Sequence, residues 1–143
     1  MNTTAAVIQR WAAAARTRAR TDRGESSVQM AIVFPFVILL TITAVQVGMQ
    51  YYARNIALTA AREGVSAGRV YQASPVEGAA RARETLGRIA GDSLRDAGVS
   101  TAGSSGETMK VTVTGRAVSL VPGIPGLLIS QSATGARERW TTP

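Results

Sequence analysis

The sequence predicts an α+β protein in which a long N-terminal transmembrane helix extends out of the membrane and is followed by an amphipathic helix and a small antiparallel β-sheet. Three observations lead to this prediction. The 28 residues Ser26–Ala53 carry no charge, a helix-capping pattern begins at Ser74, and apolar and polar residues alternate from Thr108. These are the marks of a membrane span, an amphipathic helix and a half-buried strand, respectively.

The membrane span is predicted at Val28–Met49, which reads VQMAIVFPFVILLTITAVQVGM. At about 1.5 Å per residue a helix of this length crosses the ~30 Å hydrocarbon layer of a bilayer. The segment has no polar face wide enough for the surface helix of a soluble protein. Pro35 is expected to kink the helix because it removes one backbone hydrogen bond.

The charges that flank the span predict its orientation. Residues 1–24 hold five arginines against the single carboxylate of Asp22, whereas the charge beyond the span is dilute. Basic residues in a short flank keep their side in the cytoplasm, so the N-terminus is predicted inside. We therefore expect a basic cytoplasmic leader at 1–24, a transmembrane helix with an extracytoplasmic extension at 25–70, and a small extracytoplasmic α+β domain at 71–143.

Composition argues against catalysis and against nucleic-acid binding. The net charge of +7 is concentrated in the leader, and no patch of interleaved basic and aromatic residues accompanies it. The chain has no Cys and no His, which removes disulfides, thiolate metal sites and the commonest general base. Gly64, Ser66 and Gly68 match G-x-S-x-G, but a nucleophile elbow needs a preceding strand and a histidine. We expect no enzyme activity, no cofactor, no metal and no small-molecule substrate.

The helix is expected to continue beyond the span, with Tyr51 and Tyr52 at the membrane interface. Small residues then recur at a spacing of three to four, which forms a smooth stripe on one face. We call this the small-residue stripe: Ala57, Ala61, Gly64 and Gly68. The stripe fits two interpretations, close packing with helices of other subunits or packing against the protein's own domain.

The capping box Ser74-Pro75-Val76-Glu77 predicts a helix that runs to about Ala97 and stops at Gly98. On a helical wheel its apolar side contains Val76, Ala79, Leu86, Ile89, Ala90, Ser93, Leu94 and Ala97. The opposite side is charged, with i,i+4 pairs expected at Glu77–Arg81, Glu84–Arg88 and Arg88–Asp92.

A strand is predicted at Thr108–Leu120 after a flexible loop over Val99–Gly106. The apolar phase slips after Gly115, which suggests a bulge there. Val121–Gly126 is predicted as a turn, and Ile129–Trp140 as a weaker second strand that pairs back. Because two strands alone are marginally stable, they are expected to lean on the amphipathic helix.

The segment Arg23–Ala31 reads RGESSVQMA and precedes an apolar run with a central proline, while Ala60–Ser66 reads AAREGVS. Together they resemble the TadE-like family of pseudopilins or minor pilins of tight-adherence (Tad, Flp-type) pili. The ending Ala136–Arg139 is similar to that family's short R-x-E-like terminus.

The resemblance implies cleavage by a membrane prepilin peptidase after Gly24, so that Glu25 becomes the new N-terminus. It also implies contacts with membrane lipid, with other Tad/Flp pilins and with the inner-membrane assembly platform. At position five of the mature chain the family usually has Glu, whereas this chain has Gln29. A permanently anchored accessory protein is therefore an alternative within the family.

Two functions outside this family are alternatives. An unrelated single-pass, membrane-anchored envelope protein whose outer domain binds a partner would share the predicted topology. A secreted domain with a conventional cleaved signal is disfavoured, because the apolar stretch exceeds a usual 7–15-residue hydrophobic region.

Overall fold

The computed structural model describes the backbone of residues 3–139 and the side chains of residues 27–139. Its elements are the helices α1 (Thr3–Gly68) and α2 (Pro75–Ile89) and the strands β1 (Leu94–Ser100), β2 (Thr108–Ala117) and β3 (Leu128–Ala136). A long apolar helix, a second helix and a three-stranded antiparallel sheet confirm the predicted α+β class. The chain divides into two compact units, Met1–Thr43 and Ala44–Pro143.

The described side chains of the first unit belong to the apolar part of α1. The helix from Ser27 onward contains a window of mean hydropathy 2.4, long enough to cross a membrane, and none of that window is buried within the protein. The helix continues through Pro35. The hydroxyls of Thr41 and Thr43 donate to the carbonyl oxygens of Val37 and Leu39, each at 2.8 Å. These two polar side chains are thereby satisfied inside the helix itself.

In the second unit the three strands form a meander in the order β1-β2-β3, and both pairings are antiparallel. The register between β2 and β3 is regular from Thr108 opposite Ala136 to Arg116 opposite Leu128. One face of β2 is buried, and its residues join side chains of α1 and α2 in a single apolar core. The largest fully buried side chains are those of Met109, Val111 and Val113.

The start of α2 agrees with the sequence. The Ser74 hydroxyl accepts from the backbone N–H of Glu77 at 3.3 Å, and the Glu77 carboxylate accepts from the backbone N–H of Ser74 at 3.0 Å. This capping box satisfies backbone donors that the first helical turn cannot pair.

The predicted end of this helix is wrong. Instead of continuing to Ala97 and stopping at Gly98, α2 ends at Ile89. Gly91 then has a φ of +48°, the left-handed conformation that terminates helices. The residues from Leu94 to Ser100 form β1, because they pair with β2 and the Leu94 side chain becomes buried against the sheet.

The predicted apolar side of α2 is confirmed for Ala79, Leu86 and Ala90, which are buried. Val76 is an exception, since it is 74% exposed, and Ala82 and Thr85 are buried although they were not placed on that side. Of the predicted i,i+4 charge pairs, none is among the ion pairs of the described residues. Arg81 instead contacts Glu84, three residues later, at 3.1 Å.

The bulge predicted at Gly115 is wrong as well. Alternate residues of β2 are buried without a phase change through Gly115 to Ala117, where the strand ends. The irregularity lies in the partner strand β1, between Arg95 and Gly98. A Cβ on Gly115 would lie 2.7 Å from the Leu94 side chain, so this glycine leaves the space that Leu94 fills. The second predicted strand is confirmed as β3, although it begins at Leu128 and ends at Ala136.

Candidate functional site: the docked end of the long helix

The C-terminal part of α1 packs against the rest of its own domain through small side chains. Ala53, Ala57, Ala60 and Ala61 are fully buried, and they belong to the same core as Val111 of β2 and Leu86 of α2. Because alanine projects only a methyl group, the helix approaches the sheet and α2 closely along this face.

The closest approach is made by glycines. A Cβ on Gly64 would lie 2.7 Å from the carbonyl oxygen of Gly78 and 2.9 Å from the Cβ of Ala82. A Cβ on Gly68 would lie 3.2 Å from the Cα of Gly78 and would overlap the end of the Met109 side chain. Gly64, Gly68 and Gly78 thus let the α1 and α2 backbones touch, and Met109 covers the gap between them.

The small-residue stripe therefore has contacts within the chain. Ala57 and Ala61 are fully buried, Gly64 faces α2, and Gly68 faces both α2 and β2. Of the two interpretations left open by the sequence, these contacts belong to packing against the protein's own domain. The predicted AAREGVS motif contributes Ala60, Ala61, Gly64 and Val65 to the same buried face.

One polar residue of that motif, Glu63, lies at the rim of the docking surface. Glu63 of α1 receives the Arg81 guanidinium at 3.5 Å, and Arg81 also donates to Glu84 at 3.1 Å. The hydrogen bond and charge of Glu84, with a smaller contribution from Glu63, raise the pKa of Arg81 above its usual value. A cation whose pKa is raised in the folded state contributes to stability until the pH rises through that raised pKa. This bridge between α1 and α2 therefore keeps its positive partner throughout the neutral range.

Gln46 binds the N-terminal end of the docked part of α1 to the segment after β2. Its side-chain Nε2 donates to the carbonyl oxygen of Val118 at 3.0 Å, and its Oε1 accepts from the backbone N–H of Leu120 at 2.9 Å. One amide thus binds both polar groups of a chain segment 72 to 74 residues away. We call this contact the Gln46 clamp.

The C-terminal end of α1 is hydrogen-bonded to the segment after β3. The backbone N–H of Glu138 donates to the carbonyl oxygen of Arg69 at 2.9 Å, just beyond the last residue of α1. Arg137 donates to the carbonyl oxygen of Ala73 and, at 3.4 Å, to that of Ser105. The ending that resembles the family's terminus therefore ties the sheet to the turn between α1 and α2.

The predicted processing site lies elsewhere. Gly24 and Glu25 fall within the backbone of α1, and their side chains lie outside the described residues. Gln29 is exposed on the same helix. The structure thus brings the four residues of the small-residue stripe together with the domain, whereas Gly24, Glu25 and Gln29 belong to the other compact unit of the chain.

Residues 27–139 contain no group of three or more Asp, Glu, His or Cys side chains that could hold a metal ion. An open depression of about 420 Å³ is lined by residues that include Tyr71, Gln72, Arg137 and Arg139.

Sequence reasoning did not identify Gln46, Gly78 or Arg137 as parts of this surface. Gln46 carried a signal, since it is one of only four polar residues in an apolar segment of 22. Gly78 carried a weaker signal, as a glycine inside a predicted helix, which is normally unfavourable.

Comparison with known protein families relates part of the chain to a described family. Residues 24–66 match the family model described as TadE-like protein. No curated protein and no solved structure matches the chain. The match confirms the resemblance found in the sequence, and it relates the chain to Tad pilus proteins. Together with the long apolar helix it also indicates membrane anchoring.

Proposed function

We propose that this chain is a minor pilin (pseudopilin) or an assembly component of a Tad/Flp-type pilus, structural rather than catalytic. The observation that carries this proposal is the extent of the family match. It begins at Gly24, includes the apolar helix, and ends at Ser66 in the AAREGVS motif that docks the domain. The matched region thus contains a predicted processing junction, an anchor and a coupling surface.

In this proposal the protein is a single-pass protein of the cytoplasmic membrane. Residues 1–24 form the cytoplasmic leader, residues 25–70 the span and its extension, and residues 71–143 the outer domain. The five arginines of the leader support an N-terminus inside the cell. Proteolysis of spheroplasts from outside should then degrade a C-terminal tag and spare an N-terminal one. The opposite pattern would overturn both the orientation and the pilin assignment.

The proposed partners follow from the same family relation: prepilin peptidase, other Tad/Flp pilins, the inner-membrane assembly platform and membrane lipid. We propose that the peptidase cleaves after Gly24. The intact mass of membrane-extracted protein should then lack residues 1–24, and Gly24→Leu should block this loss by its bulk beside the scissile bond. Gly48→Leu, an equally bulky change at a helical glycine with open space around it, is the control and should leave cleavage unchanged.

Gln29 favours a second version of this function, a permanently anchored accessory protein. A glutamine can donate and accept hydrogen bonds but cannot form an ion pair with the terminal amine of a neighbouring subunit. A full-length protein in a host with an active prepilin peptidase would support this version. A cleaved protein would reject it.

The functional test is deletion of the gene in its host. Loss of surface pili, restored by the wild-type chain, is the expected result, whereas unchanged pili would refute the proposal and leave the unrelated envelope-protein alternative. Shearing the pili from the cells separates the two forms of the proposal. A minor pilin appears in the sheared filaments, and an assembly component stays with the membranes.

A further inference from the structure

The loop between β2 and β3 is unusually apolar for an exposed segment. It runs from Val118 to Leu127 and lies inside a stretch of 20 residues, 117–136, that carries no charge. Large apolar side chains of this loop and of the residue after it are open to their surroundings: Leu120 44%, Val121 39%, Ile124 58%, Leu127 56% and Leu128 69% exposed. Several large apolar side chains exposed on one short loop are typical of an interaction site.

The Gln46 clamp fixes where this loop lies along α1. Gln46 precedes Met49, the predicted end of the membrane span, by three residues, or about 4.5 Å along a helix. The loop is hydrogen-bonded to that level through Val118 and Leu120. A loop held there lies below the surface of a bilayer that the helix crosses, at a depth similar to the ~5–10 Å reached by interfacial amphipathic helices.

The backbone of the loop suits a water-poor environment. The N–H of Ile124 donates to the carbonyl oxygen of Val121 at 3.2 Å, and the N–H of Ala117 donates to that of Leu127 at 3.0 Å. Pro122 and Pro125 have no N–H to satisfy. Since unpaired backbone groups are costly in lipid, this local pairing lowers the cost of moving the loop out of water.

We infer that the loop 118–127 inserts into the outer leaflet of the membrane as a second anchor, with its apolar side chains among the lipid chains. The exposed rings of Tyr51 and Tyr52 lie two and three residues beyond the predicted end of the span, where aromatic residues meet the headgroups. This inference rests on the proposed function, because it requires that α1 crosses a membrane.

The absence of cysteine in the chain permits a direct test, since each introduced cysteine is a unique labelling site. Three variants of the full chain are labelled with an environment-sensitive fluorophore: Ile124→Cys in the loop, Leu39→Cys near the middle of the predicted span, and Ala102→Cys in the exposed loop between β1 and β2. They are reconstituted in vesicles of phosphatidylethanolamine and phosphatidylglycerol. Quenching by aqueous iodide and by nitroxide-labelled lipid is then compared.

We expect the labels at 39 and 124 to be quenched by the labelled lipid and protected several-fold from iodide relative to the label at 102. A lipid-buried label at 39 with a water-exposed label at 124 would overturn the loop inference and leave the span intact. Exposure at 39 would overturn both. Protection at 124 that grows with protein density and is accompanied by disulfide crosslinks at 124 would identify another protein copy as the occupant, and would also overturn the inference.

Two further variants guard against misfolding and test the clamp. Leu127→Cys repeats the measurement on the same loop if Ile124→Cys does not fold. Adding Gln46→Met to Ile124→Cys removes both hydrogen bonds of the clamp while keeping an unbranched side chain, and it should raise iodide quenching at 124. Unchanged quenching would overturn the assignment of Gln46 as the residue that sets the depth of the loop.

Discussion

Replacing Gly64 by alanine tests whether α1 and α2 are held at backbone contact. The added Cβ would lie 2.7 Å from the carbonyl oxygen of Gly78, 2.9 Å from the Cβ of Ala82 and 3.3 Å from Cγ1 of Val111. The first of these neighbours is backbone and the second is a fully buried alanine, so neither can rotate away. The helices must separate by several tenths of an ångström to accept the methyl group.

The expected magnitude combines two opposing effects. Alanine stabilises a helix interior by up to about 1 kcal/mol relative to glycine. Overpacking a buried contact costs about 1–3 kcal/mol. Gly87→Ala is the matched control, because Gly87 lies in α2 and a Cβ there would meet nothing within 4 Å. The difference in unfolding free energy between the two variants isolates the overpacking cost, which we expect to be about 1–3 kcal/mol.

The assay is pulse proteolysis of the detergent-solubilised full chain across a urea series, with a C-terminal tag reporting on the domain. Brief digestion cleaves the unfolded fraction and so measures the unfolding equilibrium. Gly87→Ala should move the midpoint to higher urea, and Gly64→Ala should fall below the control. If Gly64→Ala is as stable as Gly87→Ala, the two helices are not in backbone contact. The small-residue stripe would then be free for another subunit.

Two predictions concern α2. The Thr85 hydroxyl is buried and has no hydrogen-bond partner among residues 27–139, so Thr85→Val should stabilise the domain by about 1 kcal/mol in the same assay. A loss of stability would reveal a partner for the hydroxyl. Ser74→Ala removes the helix cap and should cost about 1 kcal/mol, whereas Ser74→Asp, which retains a capping oxygen, should cost much less. Equal effects of the two changes would show that the cap contributes nothing.

The features that the sequence predicted well depend on local chemistry. The long apolar helix follows from an uncharged run of sufficient length, and the start of α2 follows from the reciprocal hydrogen bonds of Ser74 and Glu77. The buried face of β2 follows from the alternation of Met109, Val111 and Val113. Each of these signals is complete within a few residues or one helix length, so no distant partner is needed to interpret it.

The end of α2 was mispredicted because distant pairing decides it. Leu94 and Ala97 continue the helical apolar pattern, but Leu94 pairs with Ala117 in the sheet, more than 20 residues away. Gly91 was the local signal for an earlier end, and its left-handed φ is where the helix stops. The bulge was misplaced for a similar reason, because Gly115 leaves space for the Leu94 side chain of the neighbouring strand, and the irregularity lies in that strand.

The sequence predicted the α1 side of the docking surface but not the α2 side. A stripe of alanine and glycine on a helix indicates close approach, but it does not identify what approaches. The missing information lies in Gly78, whose backbone occupies the space beside Gly64 and Gly68. The close approach of the helices requires a glycine on α2 as well as glycines on α1. Only the three-dimensional structure shows that these glycines lie side by side.

The contacts of α1 with its domain are spread along the helix rather than concentrated at one point. The Gln46 clamp lies at the N-terminal end of the docked part of α1, and Gly64 packs against α2 near its middle. Just after the C-terminal end of the helix, the carbonyl oxygen of Arg69 accepts from the backbone N–H of Glu138. From Gln46 to Arg69 the helix rises about 35 Å. A displacement of this part of α1 along its axis must therefore carry the whole sheet with it, because sliding would break all three contacts at once. In the proposed pilus role, this coupling would transmit a force applied to the helix to the whole domain.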